Sequence, residues 1–183
     1  MSDYRPRIRN GMKQMYDKWT NTESRVLVIG DTHFPFDLAT YLDFLVDTYN
    51  RYNCNRVIHI GDEADHHFSS FHETSADGMG GADELRLTKK RLSRYYKIFK
   101  DVDVIIGNHS RLIMRKAQTG GVPREWIREY NDVLGVPNWN FHTELEIDGV
   151  LYAHGEGGTA RGKCKNDLPV SYTHLTLPTN REV

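Results

Sequence analysis

The sequence predicts an α/β domain built on a parallel sheet. Three short, β-branched apolar runs occur in order: RVLVI (residues 25–29), RVIHI (56–60) and the apolar part of DVDVIIGN (101–108). Longer stretches with helical spacing separate them, and each run ends at a glycine. Apolar runs of this length bounded by turn residues read as buried strands. Strand–helix–strand–helix–strand order then implies right-handed crossovers and parallel pairing.

The elements follow in chain order. Residues 1–24 carry Arg5, Arg7, Arg9, Lys13 and Lys18 with weak apolar spacing. They read as a basic N-terminal arm with a short helix over 11–19, either a solvated extension or a phosphate-tracking arm. After the first strand, Leu38, Tyr41, Leu42, Leu45, Val46 and Tyr49 recur at helical spacing, with Asp37 as the expected N-cap. RVIHI is the second strand. A long polar loop, EADHHFSSFHETSADGMGG, precedes a second helix over 82–99. The third strand leads to helical stretches over 111–116 and 123–130. WNFHTELEI and VLYAH, joined at Asp148-Gly149, read as a hairpin. Trp126 and Trp139 read as packing residues.

Composition narrows the function classes. The 183 residues include 24 Lys+Arg and 25 Asp+Glu, a net charge of −1, which excludes a global electrostatic drive toward nucleic acid or anionic membrane. No apolar run approaches the ~20 residues of a membrane-spanning helix. The first residues lack the apolar stretch of a secretory leader, so the expected compartment is the cytoplasm. Cys54 and Cys164 form no Cys-x-x-Cys motif. They read as reduced structural thiols rather than a disulfide framework or a zinc ribbon.

The chemistry concentrates at the strand ends. The three strands run into IGDTH, IGDEAD and IGNH, and the last strand of the hairpin runs into YAHGEG. In parallel α/β sheets, sites form at the carboxyl ends of strands. Asp31, His33, Asp62, Asn108, His109 and His154 are therefore expected on one rim. Carboxylates, imidazoles and an amide oxygen make a mixed O/N donor set, better suited to Mn2+, Fe or Zn2+ than to Ca2+. A single carboxylate such as Asp62 can bridge two ions, and two ions about 3.5–4 Å apart can clamp the oxygens of a phosphoryl transfer. His66, His67 and His72 read as solvated loop histidines. HGEGGTARGK (154–163) is rich in glycine and carries Arg161. It can cradle a phosphate but lacks the spacing of a Walker A loop.

These motifs resemble the calcineurin-like metallophosphoesterase superfamily, over residue 25 to about residue 167, and look most like its phage-type members. The resemblance implies a metallophosphoesterase-type αββα sandwich, incomplete at the C-terminus, with two divalent metal ions. It implies that Asp31 and His33 hold the first metal, that Asp62 bridges, and that Asn108 and His154 hold the second. His109 would contact the phosphate as the catalytic histidine, with Asp65 supporting. Arg111 and Arg161 are candidate substrate contacts. The implied reaction is hydrolysis of a phosphomonoester or phosphodiester by in-line attack of a metal-bound hydroxide. A phosphorylated substrate is thus the expected partner, and the phage-type likeness and basic arm suggest a nucleotide or nucleic acid.

Two departures stand out. Where the family carries an acid after Gly-Asn-His, this chain has Ser110. The family's closing Gly-His-x-His is absent, because no Gly-His pair occurs and the only histidine after His154 is His174. Residues 170–183 do not continue the preceding pattern. VSYTHLTLPT back-translates to one strand of a transposon-type sequencing adapter, so the domain is read as 25–169 and His174 as no ligand. An inactive truncated domain and a non-catalytic phosphate- or nucleic-acid-binding module are the competing readings.

Overall fold

The structure is a computed structural model that describes residues 24–71 and 77–155. The basic arm, its short helix, His72, Arg161, Cys164, His174 and the closing stretch lie outside the described residues.

Four parallel strands form one sheet in the order β1 (Val26–Ile29), β2 (Arg56–His59), β3 (Asp103–Ile105) and β4 (Asn140–His142). A separate antiparallel pair, β5 (Glu144–Ile147) and β6 (Val150–Ala153), makes a hairpin. Helices α1 (Tyr41–Arg51) and α2 (Gly81–Ile98) are the crossovers between the first three strands. α3 (Leu112–Thr119) and the short α4 (Tyr130–Leu134) lie between β3 and β4.

The period-two alternation of the strands sorts the core into two layers. Leu27, Ile29, Val57 and Val104 share one cluster with Leu42 and Leu45 of α1 and Leu92 and Tyr95 of α2. On the other face, Ile58 and Ile105 meet Ile147, Leu145 and Tyr152 of the hairpin. Helices, parallel sheet and hairpin are thus successive layers of the expected αββα sandwich, as far as the described residues extend.

The sequence expectations differ from the structure in five places. WNFHTELEI is two strands rather than one: Asn140–His142 pairs in parallel with β3, and only Glu144–Ile147 turns back at Asp148-Gly149. Both turn residues have positive φ (52° and 77°), as a tight two-residue hairpin turn requires. The 123–130 stretch is a 3-10 turn over Arg124–Trp126, and α4 starts only at Tyr130. Asp37 does not cap α1, which starts after Thr40; its carboxylate accepts from Arg91 (2.9 Å) and Tyr95 (3.5 Å) and ties the β1–α1 connection to α2. Trp139 is buried, with Nε1–H donating to the Phe99 carbonyl, whereas Trp126 is 83% exposed. His66 is buried rather than solvated.

Candidate metal centre

The strand ends are knitted together before any metal is considered. The segment after β1 runs alongside the segment after β2: the His33 and Phe34 amides donate to the Asp62 and Glu63 carbonyls (3.0 and 2.9 Å), and Asp65 N–H donates back to Phe34 (3.0 Å). His33 (φ 46°) and Asp62 (φ 50°) both adopt left-handed backbone. Such conformations cost free energy in non-glycine residues and cluster where a site fixes a side-chain direction. Gly61 and Gly107 make the crowding possible. A Cβ on Gly61 would meet His154 Nδ1 at 2.5 Å and the Ile105 carbonyl at 2.9 Å, and one on Gly107 would strike the Asp62 carboxylate.

A buried chain of hydrogen bonds braces the two segments. Gly61 N–H donates to His59 Nδ1 (3.2 Å), which leaves the proton on Nε2 to donate to Thr32 Oγ1 (3.0 Å). The Thr32 hydroxyl in turn donates to the Glu63 carbonyl (3.1 Å). Complete burial pushes His59 down to about 3, so the ring is neutral, as this tautomer requires. Thr32 lies between two candidate ligands and Glu63 follows a third. The brace therefore sets the spacing between Asp31–His33 and Asp62.

Two groups of ligand atoms converge on this frame. Asp31, His33 and Asp62 each offer an atom within 4.8 Å of the others and could hold a metal ion. His33 donates its Nδ1–H to Asp65 Oδ1 (2.9 Å), which leaves Nε2 as the available ring nitrogen. A carboxylate behind a ligating histidine is the common supporting arrangement. His33, Asp65 and His109 also lie within that range of one another. There, however, both imidazoles spend Nδ1 on Asp65, His109 donating to its backbone carbonyl at 2.6 Å. That cluster is already satisfied by hydrogen bonds, so the Asp31 group is the better cation site.

On the opposite side of Asp62, His154 Nε2 lies 3.3 Å from Asp62 Oδ2 and 2.8 Å from Asn108 Oδ1. His154 Nδ1–H donates to the Ile60 carbonyl (2.9 Å), so Nε2 is again the free nitrogen. Three acceptor atoms facing one point call for a cation there, either a proton or a metal. The proton is available without a metal. The Asp62 hydrogen bond leads, over the opposing effect of burial, in pushing His154 up to about 9. If the amide is reversed, its NH2 donates to His154 Nε2 (2.8 Å) and Asp62 (3.3 Å), which suits only a neutral ring. With His154 protonated, the oxygen-inward amide is the satisfied one.

The carboxylates respond to the same environment. Burial, reinforced by the Asp62 charge, raises Asp31 against the pull of His154. Burial acts on Asp62 too, but hydrogen bonds from His154 and the His109 amide outweigh it and hold Asp62 below its ordinary value. The latter bond, His109 N–H to Asp62 Oδ1, is 2.8 Å.

The structure thus brings Asp31, His33, Asp62, Asn108, His109 and His154 to one rim. Arg111 is half-buried, its guanidinium donating to the Ile106 carbonyl (3.2 Å). The rim also involves residues that the sequence did not single out. His59 was visible only as a polar residue inside an apolar strand, and Glu63 as one more acid in GDEAD.

The strand ends of a parallel α/β sheet thus present an O/N donor cluster around Asp62, the makings of a metal centre. Residues 24–180 match the family described as calcineurin-like phosphoesterase, and the chain belongs to that family. No curated protein and no solved structure matches the chain.

Proposed function

We propose that the chain is a metal-dependent phosphoester hydrolase with two ions flanking Asp62. Asp31, His33 and Asp62 would hold one, and Asp62, Asn108 and His154 the other. The observation that carries this reading is the position of Asp62. One of its oxygens faces His154 beside Asn108, while the same carboxylate falls within 4.8 Å of the Asp31 and His33 donors. Three protein ligands per ion suit a catalytic site, which keeps a coordination position open. Bound divalent ions would neutralise phosphate charge and acidify a water molecule. Mn2+, Fe or Zn2+ fits the donor set.

The chain's own residues supply the rest. His109 donates Nδ1–H to a carbonyl, which can only accept, so Nε2 is the ring nitrogen left to carry a proton for catalysis. That proton is the one to pass to a leaving-group oxygen. The ring stands edge-to-face against His33, with centroids 4.7 Å apart, which keeps it beside the ligand cluster. Arg111 can offer its guanidinium to a phosphate oxygen, and Arg161 is a second substrate contact from the sequence. A nucleotide or nucleic acid is the proposed substrate class and the cytoplasm the proposed compartment. Among the described residues no helix is long and apolar enough to cross a membrane.

One observation favours an inactive, metal-poor domain instead: the chain contains no Gly-His pair. Equilibrium dialysis against Mn2+ separates the two readings. Two bound ions, with affinity lowered more than about 100-fold by Asp62→Asn, are expected, since even supporting residues cost 10–100-fold. No saturable binding would overturn the dinuclear site.

A further inference from the structure

We propose that Glu63 is a positioning residue for His109, acting through Ser110. The proposal rests on the reading of His109 as the residue that faces the phosphate. Glu63 and Ser110 are both completely buried, and the Ser110 hydroxyl donates to Glu63 Oε2 at 2.7 Å. This bond is one of three that tie the loop after β2 to the loop after β3. Asp62 Oδ1 accepts the His109 amide (2.8 Å), Glu63 accepts the Ser110 hydroxyl, and the Asp65 carbonyl accepts His109 Nδ1–H (2.6 Å). Ser110 is held at its other end as well, because its carbonyl accepts the Tyr130 hydroxyl (3.0 Å).

Glu63 is a fixed point from which to hold that loop. Its own carbonyl accepts the Thr32 hydroxyl (3.1 Å) and the Phe34 amide (2.9 Å), so its backbone belongs to the brace between the first two strand ends. Its side chain extends the brace to the third. Its second carboxyl oxygen, Oε1, has no hydrogen-bond partner among the described residues. A buried carboxyl with half its acceptor capacity unused costs stability, and an apolar pair of similar shape would fill the space more favourably. The costly polar pair makes sense as a device that fixes the backbone of 109–110, and with it the His109 ring.

The test is an NMR measurement on the metal-free full chain labelled with 15N-histidine, with the His109 ring assigned by His109→Gln. In the unaltered chain the His109 Nδ1–H is expected to be protected by its bond to Asp65. Ser110→Ala should speed its exchange with water by about tenfold, the scale of one lost hydrogen bond. Glu63→Gln keeps an acceptor for Ser110 and should stay within about twofold. The double variant Glu63→Met with Ser110→Ala replaces both partners by apolar groups. It should regain the parent melting temperature yet keep the fast exchange, and it decides the matter if the single variant does not fold. Parent-like exchange in the double variant would overturn the proposal and leave Glu63 a packing residue. Because no metal or turnover is involved, a failure of the hydrolase reading leaves this result readable.

Discussion

Asp65 Oδ1 accepts the Nδ1–H of His33 at 2.9 Å, a bond that leaves Nε2 as the available ring nitrogen of His33. Asp65 needs no contact with a metal to matter, because it fixes the tautomer and ring direction of a proposed metal ligand. Asp65→Ala is expected to weaken Mn2+ binding 10–100-fold, the usual effect of removing a supporting partner. Isothermal titration of the variant checks this, and unchanged affinity would detach Asp65 from the site.

Metal uptake should expel a proton. Without metal, His154 is raised to about 9, chiefly by its hydrogen bond to Asp62. The His154–Asp62 contact therefore stabilises the metal-free protein fully below the ordinary histidine value of 6.5 and loses that contribution as pH rises through about 9. At pH 8 an ion taking Nε2 must displace a proton, so binding should release about one proton beyond that of His154→Gln. Titration calorimetry in buffers of different ionisation enthalpy measures this; identical proton release in the two proteins would contradict it.

Two buried neighbours give opposite acid–base responses. His59 is lowered to about 3 by burial, so between 6.5 and 3 the unfolded chain binds the extra proton and stability falls as pH falls. Glu63 is raised to about 7 by burial, so its contribution is intact below 4.5 and lost as pH rises through about 7. Each can contribute a slope of at most about 1.4 kcal/mol per pH unit. Urea unfolding with a chelator present should show His59→Gln flattening the acid side and Glu63→Gln the neutral side. Parent slopes in both variants would contradict the assignments.

Gly61 should not tolerate a side chain. Its φ of 114° is strained for any L-residue, and the new Cβ would press on His154 Nδ1 and the Ile105 carbonyl. Gly61→Ala is expected to lower stability by more than about 1 kcal/mol. It should also weaken Mn2+ binding, because His154 must move. Thermal melts and metal titration on the same sample check the two effects together.

The sequence made the parallel sheet and the rim legible because both depend on local signals. Apolar runs ending in Gly-Asp or Gly-Asn mark strand and site together, and D-x-H, G-D-x-x-D and G-N-H fall on the rim as expected. The β4 and β5 strands look like one run in the sequence because Thr143 between them carries no turn signal, and only long-range pairing with β3 separates them. The burial of His66 is invisible in the sequence because loop polarity does not reveal what packs over it. The Glu63–Ser110 bond joins residues on different loops, and no spacing rule reports such a contact. Ser110 was legible only as a missing acid; the structure shows a buried acid beside it.

The cluster around Asp62 is proposed to hydrolyse phosphoesters. The direct measurement is release of 4-nitrophenol from bis(4-nitrophenyl) phosphate by the full chain, with and without Mn2+, beside Asp62→Asn. Turnover that requires the ion and falls at least about 100-fold in the variant is predicted, in line with the loss of a shared metal ligand. Tight binding of two ions with no turnover on this diester or on 4-nitrophenyl phosphate would contradict it.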